Sequence, residues 1–303
     1  MPAPVRKPAI IVITSLVARG SVGGRGVVFA LERLGFPVWF VPTITLSWHP
    51  GHGPSTRLVP DMDGFAAMLA DLANSPWIDQ VGGILTGYLG SPEQAEAIAG
   101  LIGKAREKNP DLLYLCDPIS GDAGRLYVPE PTAEAIRDRL LPLADIATPN
   151  AFELAWLSGM PVTTPAEAEA AARTLSPPRM VVSSAPALFG NAMATMLVAK
   201  AASSAIVAEH PAIANAPNGP GDLLSSLFLA HLLDGANEET ALGRATATAF
   251  ELVARSVKAG ADELWLTTEQ GSIVRPTAMV TMRRLQTPTI RRKANAPDSG
   301  DAG

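Results

Sequence analysis

The sequence predicts an α/β fold in which helices cover both faces of a central, mostly parallel sheet. Short β-branched runs such as residues 9–15 alternate with amphipathic segments of roughly 10–18 residues, which is the pattern of consecutive strand–helix–strand units. The chain has 303 residues and 47% of them are hydrophobic, enough to bury a large core. No internal repeat or shift in composition marks a second domain. Residues 1–285 are therefore predicted to form a single domain.

The first half of the chain supplies four predicted strands, at residues 9–15, 38–44, 81–87 and 112–117. Helical spacing of apolar residues lies between them, in "VVFALERLG", which ends on Gly35, and in "FAAMLADLA". The stretch Ser91–Gln94 pairs a serine with a glutamine three residues later and places proline at the first helical position. This pattern predicts a capping box that opens a helix to about Lys108.

The second half continues the alternation. A helix is predicted in "PTAEAIRDRLLPL", a short strand at 145–150, a capped helix from Thr164, and a strand at 180–184. Residues 191–200 and 205–211 read as a hairpin, and the chain is predicted to be helical from Asp222 to about Ala259. The tail 286–303 lacks periodicity and is rich in proline, glycine, aspartate and alanine, so it is predicted to be disordered.

Composition excludes several classes of function. The net charge of −5 and the pI near 5.4 argue against binding to nucleic acid or to a membrane surface, because little positive charge is available for phosphates. A single cysteine, Cys116, permits neither an internal disulfide nor a cysteine metal cluster. The apolar run near the N-terminus is too short for a signal peptide, and no window reaches the length of a membrane span. A soluble, cytoplasmic protein is expected.

Polar residues follow the predicted strands at their carboxyl ends. In open parallel sheets, ligands bind outside these ends. The residues at those positions are Ser15, Thr43, Tyr88, Asp117, Asn150 and Ser184.

The stretch "NGPGD", residues 218–222, precedes a long apolar helix. A helix N-terminus attracts anions, and glycines let a phosphate approach the backbone. Asp222 could therefore accept a proton from a substrate hydroxyl while backbone N–H groups hold a transferred phosphoryl group. The alternative is that Asp222 only caps the helix.

Two further polar clusters allow similar alternatives. Asn150 and Glu153 have the spacing of a capping box, but an amide and a carboxylate at a strand end could also hold the water shell of Mg²⁺. Asp117 and Asp122 follow the preceding strand. The chain lacks a Walker A match, and no G-x-G-x-x-G follows the first strand.

Taken together and in this order, the motifs resemble those of the pyridoxal kinases of the ribokinase superfamily. The matching segments are "GSVGGRGVVFALERLGFPV", "SWHPGHG", "TGYLGS", "YLCDPISGD", "LADIATPNAFEL", "VVSS" and "NGPGDLLSSLFLAHLL". They are collinear over about 9–234, and weaker similarity continues to about Leu285.

The resemblance implies a three-layer α/β/α ribokinase-like fold and ATP-dependent phosphorylation of the 5′-hydroxymethyl group of pyridoxal. It implies a homodimer and Mg²⁺, and it leaves open a requirement for a monovalent cation. For catalysis, the resemblance implies that Asp222 is the general base and that the anion hole consists of Gly219, Pro220 and Gly221. It places the substrate at Ser15, Tyr88 and His49, of which His49 lies on a mobile loop, residues 48–57. It places Mg²⁺ and the phosphates at Asp117, Asn150 and Glu153, and the nucleotide at Thr148, Ser183, Ser184 and also Gly221.

Several positions depart from the family pattern. Leu16 stands where histidine is common, Gly24 where asparagine is expected, and Pro220 lies inside the implied anion hole without an N–H group. Pro50 and Ser183 each replace a threonine. These departures keep two alternatives open: a kinase of another hydroxymethyl substrate, such as a pyrimidine or a sugar, and a catalytically weak protein that binds vitamin B6.

Overall fold

The computed structural model describes residues 7–285. Its strands are β1 (Ala9–Val17), β2 (Val38–Leu46), β3 (Arg57–Leu58), β4 (Val81–Thr86), β5 (Leu113–Cys116), β6 (Gly121–Asp122), β7 (Arg125–Leu126), β8 (Ile146–Ala147), β9 (Arg179–Ala185), β10 (Ala192–Ala199), β11 (Ile206–Pro211) and β12 (Thr281–Arg284). Its α-helices are α1 (Gly24–Arg33), α2 (Met62–Ala73), α3 (Gln94–Lys108), α4 (Glu130–Ala135), α5 (Ala151–Ser158), α6 (Pro165–Thr174), α7 (Pro220–Leu233), α8 (Glu238–Lys258) and α9 (Gln270–Val274).

Ten strands form one sheet in the order β12-β11-β10-β9-β8-β5-β4-β1-β2-β3. The centre, from β9 to β2, is parallel throughout, whereas both edges add antiparallel strands. Strands β6 and β7 pair separately as a small ribbon. The prediction of a mostly parallel sheet is confirmed.

Alternate side chains of β1 enter two different cores. Ile10 and Val12 pack with residues of α1, α7 and α8, while Ile11 and Ile13 pack with residues of α2 and α3. Since successive side chains of a strand point to opposite faces, an apolar run with no polar interruption requires cover on both sides. The predicted three-layer arrangement is confirmed.

The boundaries of several elements differ from those expected. The helix predicted over 222–259 is two helices, because Gly235 adopts a φ of +85° and Asn237 caps α8 by accepting from the N–H of Thr240 at 2.8 Å. The predicted helix in 131–143 is α-helical only as α4 and continues as a π-helical segment, Ile136–Leu140.

The two predicted capping boxes have different outcomes. The Thr164 box is present in full. At Ser91 the box is incomplete, because Gln94 accepts from the N–H groups of Gly90 and Ser91 while no side chain caps α3.

The predicted disordered tail, 286–303, lies outside the described residues, and the single-domain interpretation of 1–285 stays a prediction. Within residues 7–285, no helix combines the length and the apolar character needed to cross a membrane.

Candidate active site

Asp222 lies in the first turn of α7 and is held by a residue from the other half of the chain. The N-cap of this helix is Gly219, with a φ of +100°, and no side chain caps it. The carboxylate of Asp222 instead accepts from the backbone N–H of Gly23 at 3.0 Å. The interpretation of Asp222 as a simple helix cap is therefore wrong.

The surroundings of Asp222 favour its protonated form more than water does. Burial raises the pKa of the carboxyl from 3.8 to about 6, although the N–H of Gly23 opposes part of the rise. A half-buried carboxylate with a pKa of about 6 is suited to accept a proton. Ser15 lies beside the same contact, since a Cβ on Gly23 would be only 2.4 Å from its hydroxyl.

The start of α7 leaves backbone donors next to Asp222. Leu223 donates to the carbonyl of Gly219 at 3.2 Å, so the N–H groups of Gly221 and Asp222 precede the first helical hydrogen bond. Pro220 occupies the first helical position, where proline is preferred because its missing N–H would have no helical acceptor.

An apolar pocket borders this helix start on the side of β9 and β10. Ser183 and Ser184 line it together with Pro220 and Gly221, and Phe250 of α8 forms part of its wall. His210 stacks on the Phe250 ring, with the two centroids 4.4 Å apart. Ser184 has a φ of +48°, an uncommon conformation for a residue with a side chain.

On the opposite side, buried polar groups connect α7 to the ends of β5 and β8. The hydroxyl of Ser225 donates to Asp117 at 2.7 Å and lies 2.9 Å from the hydroxyl of Thr148. Burial, and then the charges of Glu153 and Asp222, raise the pKa of Asp117 well above its usual range.

Glu153 and Asn150 form a complete capping box at the start of α5. Glu153 also accepts from the N–H groups of Ser120 and Gly121, at 2.9 and 3.3 Å, and Asn150 donates to the carbonyl of Gly121 at 2.8 Å. Burial raises the pKa of Glu153 to about 7 despite these N–H donors. Both residues thus connect α5 to the segment that follows Asp117.

The other two residues implied at the substrate, Tyr88 and His49, belong to segments that contact Val22 and Asn218, the neighbours of Gly23 and Gly219. The N–H of Tyr88 donates to the hydroxyl of Thr14 at 3.0 Å, and the carbonyl of Tyr88 accepts from the hydroxyl of Thr43 at 2.6 Å. The Tyr88 side chain packs on a small apolar cluster that includes Val22. His49 accepts from the N–H of Gly51 at 3.0 Å. Burial, and then the charge of His52, lower the pKa of His49.

Two residues of this region escaped the sequence interpretation. Tyr127 follows the β6–β7 ribbon, and its side chain is 51% exposed. Local burial of its hydroxyl, and then the charges of Glu153, Asp117 and Asp222, raise its pKa, so the hydroxyl faces the acidic region that these three carboxylates form. Ser225 could have been found from helical spacing, because residues three or four positions apart share a face of a helix and Ser225 follows Asp222 by three.

The donor set fits a cation held through water better than one held directly. Among residues 7–285, no group of three or more His, Cys, Asp or Glu side chains is arranged to ligate a metal. Asn150 and Glu153 are already engaged by the capping box and the backbone. Ser120 adds a buried hydroxyl with no hydrogen-bond partner among the described residues. Mg²⁺ commonly keeps several waters, so the site is compatible with it.

A carboxylate at a helix N-terminus, beside a pocket at the carboxyl edge of a parallel sheet, is the arrangement expected of a small-molecule kinase of the ribokinase-like fold. Pyridoxal kinase from Leishmania donovani, solved in complex with ADP and pyridoxamine, superposes with a TM-score of 0.86 at 26% identity, over 92% of this chain and 100% of the other.

Sequence comparisons give the same family. A family model described as phosphomethylpyrimidine kinase matches residues 67–266. Pyridoxal kinase PdxY of Rubrobacter xylanophilus is 34% identical over 91% of this chain and 97% of its own length. The pyridoxine/pyridoxal/pyridoxamine kinase of Bordetella bronchiseptica is 38% identical over 85% and 92%. The chain belongs to the phosphomethylpyrimidine kinase family and, within it, to the pyridoxal kinases.

Proposed function

We propose that this protein transfers the γ-phosphoryl group of ATP to the 5′-hydroxymethyl group of pyridoxal. The observation that carries the proposal is the carboxylate of Asp222, which the N–H of Gly23 orients at 3.0 Å. The residues before Asp222 in the chain, Pro220 and Gly221, line the apolar pocket, and Ser15 lies against Gly23. ADP and pyridoxamine in the Leishmania relative support the two ligand classes.

In the proposed reaction, Asp222 accepts the proton of the attacking hydroxyl. Its pKa of about 6 leaves it ionised at neutral pH yet basic enough to take a proton as the oxygen–phosphorus bond forms. The N–H groups of Gly221 and Asp222 and the positive end of the α7 dipole stabilise the charge on the phosphoryl oxygens. Gly219, with its positive φ, turns the chain into this helix.

Substrate and nucleotide approach Asp222 from different sides. We assign the pyridine substrate to Ser15, Tyr88 and His49. Ser15 lies against Gly23, Tyr88 packs on the cluster that includes Val22, and His49 belongs to the 48–57 loop, whose Gly51 lies against Asn218. We assign the nucleotide base to the apolar pocket with Ser183 and Ser184, which continues to Gly221. The phosphates then lie between the two, towards Thr148.

Asp117, Asn150 and Glu153 are the residues proposed to hold Mg²⁺, through water. The cation would neutralise charge on the phosphate oxygens. The chain's own part is to fix these acceptors, and the Asn150–Glu153 capping box does so with reciprocal hydrogen bonds of 2.8 Å. The monovalent cation stays a prediction to which no residue is assigned.

Two departures from the family pattern have structural accounts. A Cβ on Gly24 would lie 2.3 Å from the ring of Phe40, so this aromatic ring occupies the space that a larger residue needs. Pro220 removes one donor but retains the two that follow it in the first turn. Leu16 has no such account, and it keeps open a different substrate for the same machinery.

The name of the matching family model, phosphomethylpyrimidine kinase, favours hydroxymethylpyrimidine as the second candidate substrate. ADP release from ATP should be measured with pyridoxal, pyridoxine, pyridoxamine, hydroxymethylpyrimidine and ribose. The highest kcat/KM with a B6 vitamer supports the proposal, whereas a preference for the pyrimidine or the sugar replaces the substrate and retains the chemistry. Saturable vitamer binding without turnover contradicts the kinase. The homodimer and the cytoplasmic location stay predictions.

A further inference from the structure

Glu263 lies outside the proposed catalytic residues, yet its carboxylate joins two segments that border them. One oxygen accepts from the N–H of Ser21 at 3.1 Å, and the other lies 3.0 Å from Nε2 of His52 in the 48–57 loop. The side chain is only 13% exposed. Its neighbours in sequence, Leu264 and Leu266, are buried in the core beneath α1, so the carboxylate extends from a fixed base.

The 19–23 segment is shaped to receive this carboxylate. Gly20 adopts a φ of +117°, and a Cβ there would lie 2.5 Å from Oε1 of Glu263. Arg19 adds a longer contact of 3.7 Å to the same oxygen, although its main partner is Asp262 at 2.7 Å. A glycine that leaves room for one carboxylate indicates a built contact rather than a chance approach of surface charges.

Both partners of Glu263 lead directly to the catalytic helix. Two residues beyond Ser21, the N–H of Gly23 holds Asp222. The Ser21–Val22 backbone also packs on Gly219, whose added Cβ would be 3.3 Å from the carbonyl oxygen of Ser21 and 3.4 Å from Cα of Val22. In the 48–57 loop, Gly51 lies against the side chain of Asn218, which precedes Gly219, the N-cap of α7. Glu263, the 19–23 segment, the start of α7 and the loop thus form a closed ring of contacts.

We infer that Glu263 is a positioning residue, which holds the 48–57 loop over the substrate side through His52 and the Gly23 donor on Asp222 through Ser21. The inference rests on the proposed function for its kinetic part. Glu263 is not in direct contact with Asp222 or His49. Its effect on the kinetic constants therefore depends on its contacts with His52 and Ser21, and the contribution of each contact can be measured separately.

Steady-state kinetics of Glu263→Ala, His52→Ala and the double variant measure the contributions of the two contacts. For Glu263→Ala, kcat/KM for pyridoxal falls roughly tenfold, equivalent to about 1.4 kcal/mol, while KM for ATP changes less than twofold. His52→Ala raises KM for pyridoxal and leaves kcat unchanged. Because both act on one loop contact, the double variant has the same KM as Glu263→Ala. Asp262→Asn, which removes a neighbouring carboxylate that binds Arg19, is the matched control and retains wild-type constants.

A readout independent of turnover separates this inference from the proposed function. Within the 48–57 loop, the N–H groups of His52 and Gly53 donate to the carbonyls of His49 and Pro50 at 2.9 and 3.0 Å. Hydrogen exchange of the 48–55 peptide is expected to be at least fivefold faster in Glu263→Ala and His52→Ala, and unchanged in Asp262→Asn. Wild-type exchange in both alanine variants overturns the inference, as does a loss of melting temperature without any change in KM or kcat.

If the wild type turns over none of the tested substrates, the proposed function fails, and the exchange rates alone then decide the role of Glu263.

Restoration of slow exchange and of KM by Glu263→Gln, which keeps an acceptor for Ser21 and a polar group for His52, supports positioning by hydrogen bonds. Values for Glu263→Gln no better than those for Glu263→Ala overturn that form of the inference and assign the role to charge.

Discussion

Replacement of Asp222 by asparagine is expected to lower kcat at least about 100-fold and to stabilise the fold. Asparagine keeps the shape of the side chain and an oxygen for the N–H of Gly23, but it does not accept the substrate proton. Loss of a general base lowers rates by about 10²–10⁴-fold. A pKa raised from 3.8 to about 6 means that ionisation of Asp222 costs the folded state up to about 3 kcal/mol. Because the side chain is only half-buried, we expect a gain of about 1–3 kcal/mol for the variant.

The gain has a defined pH dependence. Below pH 4 the carboxyl is protonated in both the folded and the unfolded states, so the variant and the wild type have similar stability. As the pH rises from about 4 to 6, the unfolded state ionises first, the wild type loses stability, and the difference reaches its full value above pH 6. Urea unfolding without ligands from pH 4 to 8, together with kcat at pH 7.5, measures both effects. A kcat within tenfold of wild type, or a variant less stable than wild type at pH 8, would refute the reasoning.

The matched control is Asp234→Asn at the other end of α7. Its carboxylate is 51% exposed and, among residues 7–285, forms a salt bridge with Lys7 alone, at 2.8 Å. The free energy of unfolding should change by less than about 1 kcal/mol, and kcat should not change.

Three further substitutions test the parts around Asp222. Gly23→Ala places a Cβ 2.4 Å from the Ser15 hydroxyl and should lower kcat at least tenfold. Its control is Gly35→Ala, which is also at positive φ but would bring its Cβ within 4 Å of no other atom. This control should lose about 1–2 kcal/mol of stability and keep the wild-type kcat. Pro220→Ala should change kcat less than about threefold, because the next two N–H groups remain, and should lower the free energy of unfolding by about 0.4–1 kcal/mol; a large rise in kcat would show that the missing donor matters. Phe250→Ala should raise KM for ATP about tenfold and leave KM for pyridoxal unchanged, and an equal rise in both would contradict the assignment of the pocket.

The strands of the central sheet could be predicted because they are buried on both faces. Runs such as 9–15 and 81–86 contain almost no polar residue, and each is a strand close to the predicted limits. The edge strands β3 and β12 carry arginines and exposed side chains. They depend on pairing with a neighbour rather than on their own apolar pattern, and the sequence pattern did not reveal them.

The site was predictable where its residues follow strands, and not where it depends on contacts between distant segments. The contact of Gly23 with Asp222 joins positions far apart in the chain, and only the folded structure brings them together. Tyr127 was missed because the ribbon before it turns through Ala123 and Gly124, both at positive φ. Alanine seldom adopts such a conformation, so the turn has no strong sequence signal.

The electrostatics of the region formed by Asp117, Glu153 and Asp222 favour the proposal that a cation binds at this site. The pKa values of Asp117, Glu153 and Asp222 are all raised, first of all by burial, and no lysine or arginine is among the main groups that shift them. Phosphate groups would add further negative charge, which is the physical reason why the proposed site includes a cation. The backbone N–H donors at Glu153 and at the start of α7 offset only part of this repulsion. A fold selected for stability alone would replace these carboxylates, and a gain of stability in Asp222→Asn would measure how much stability the site gives up in order to hold a base.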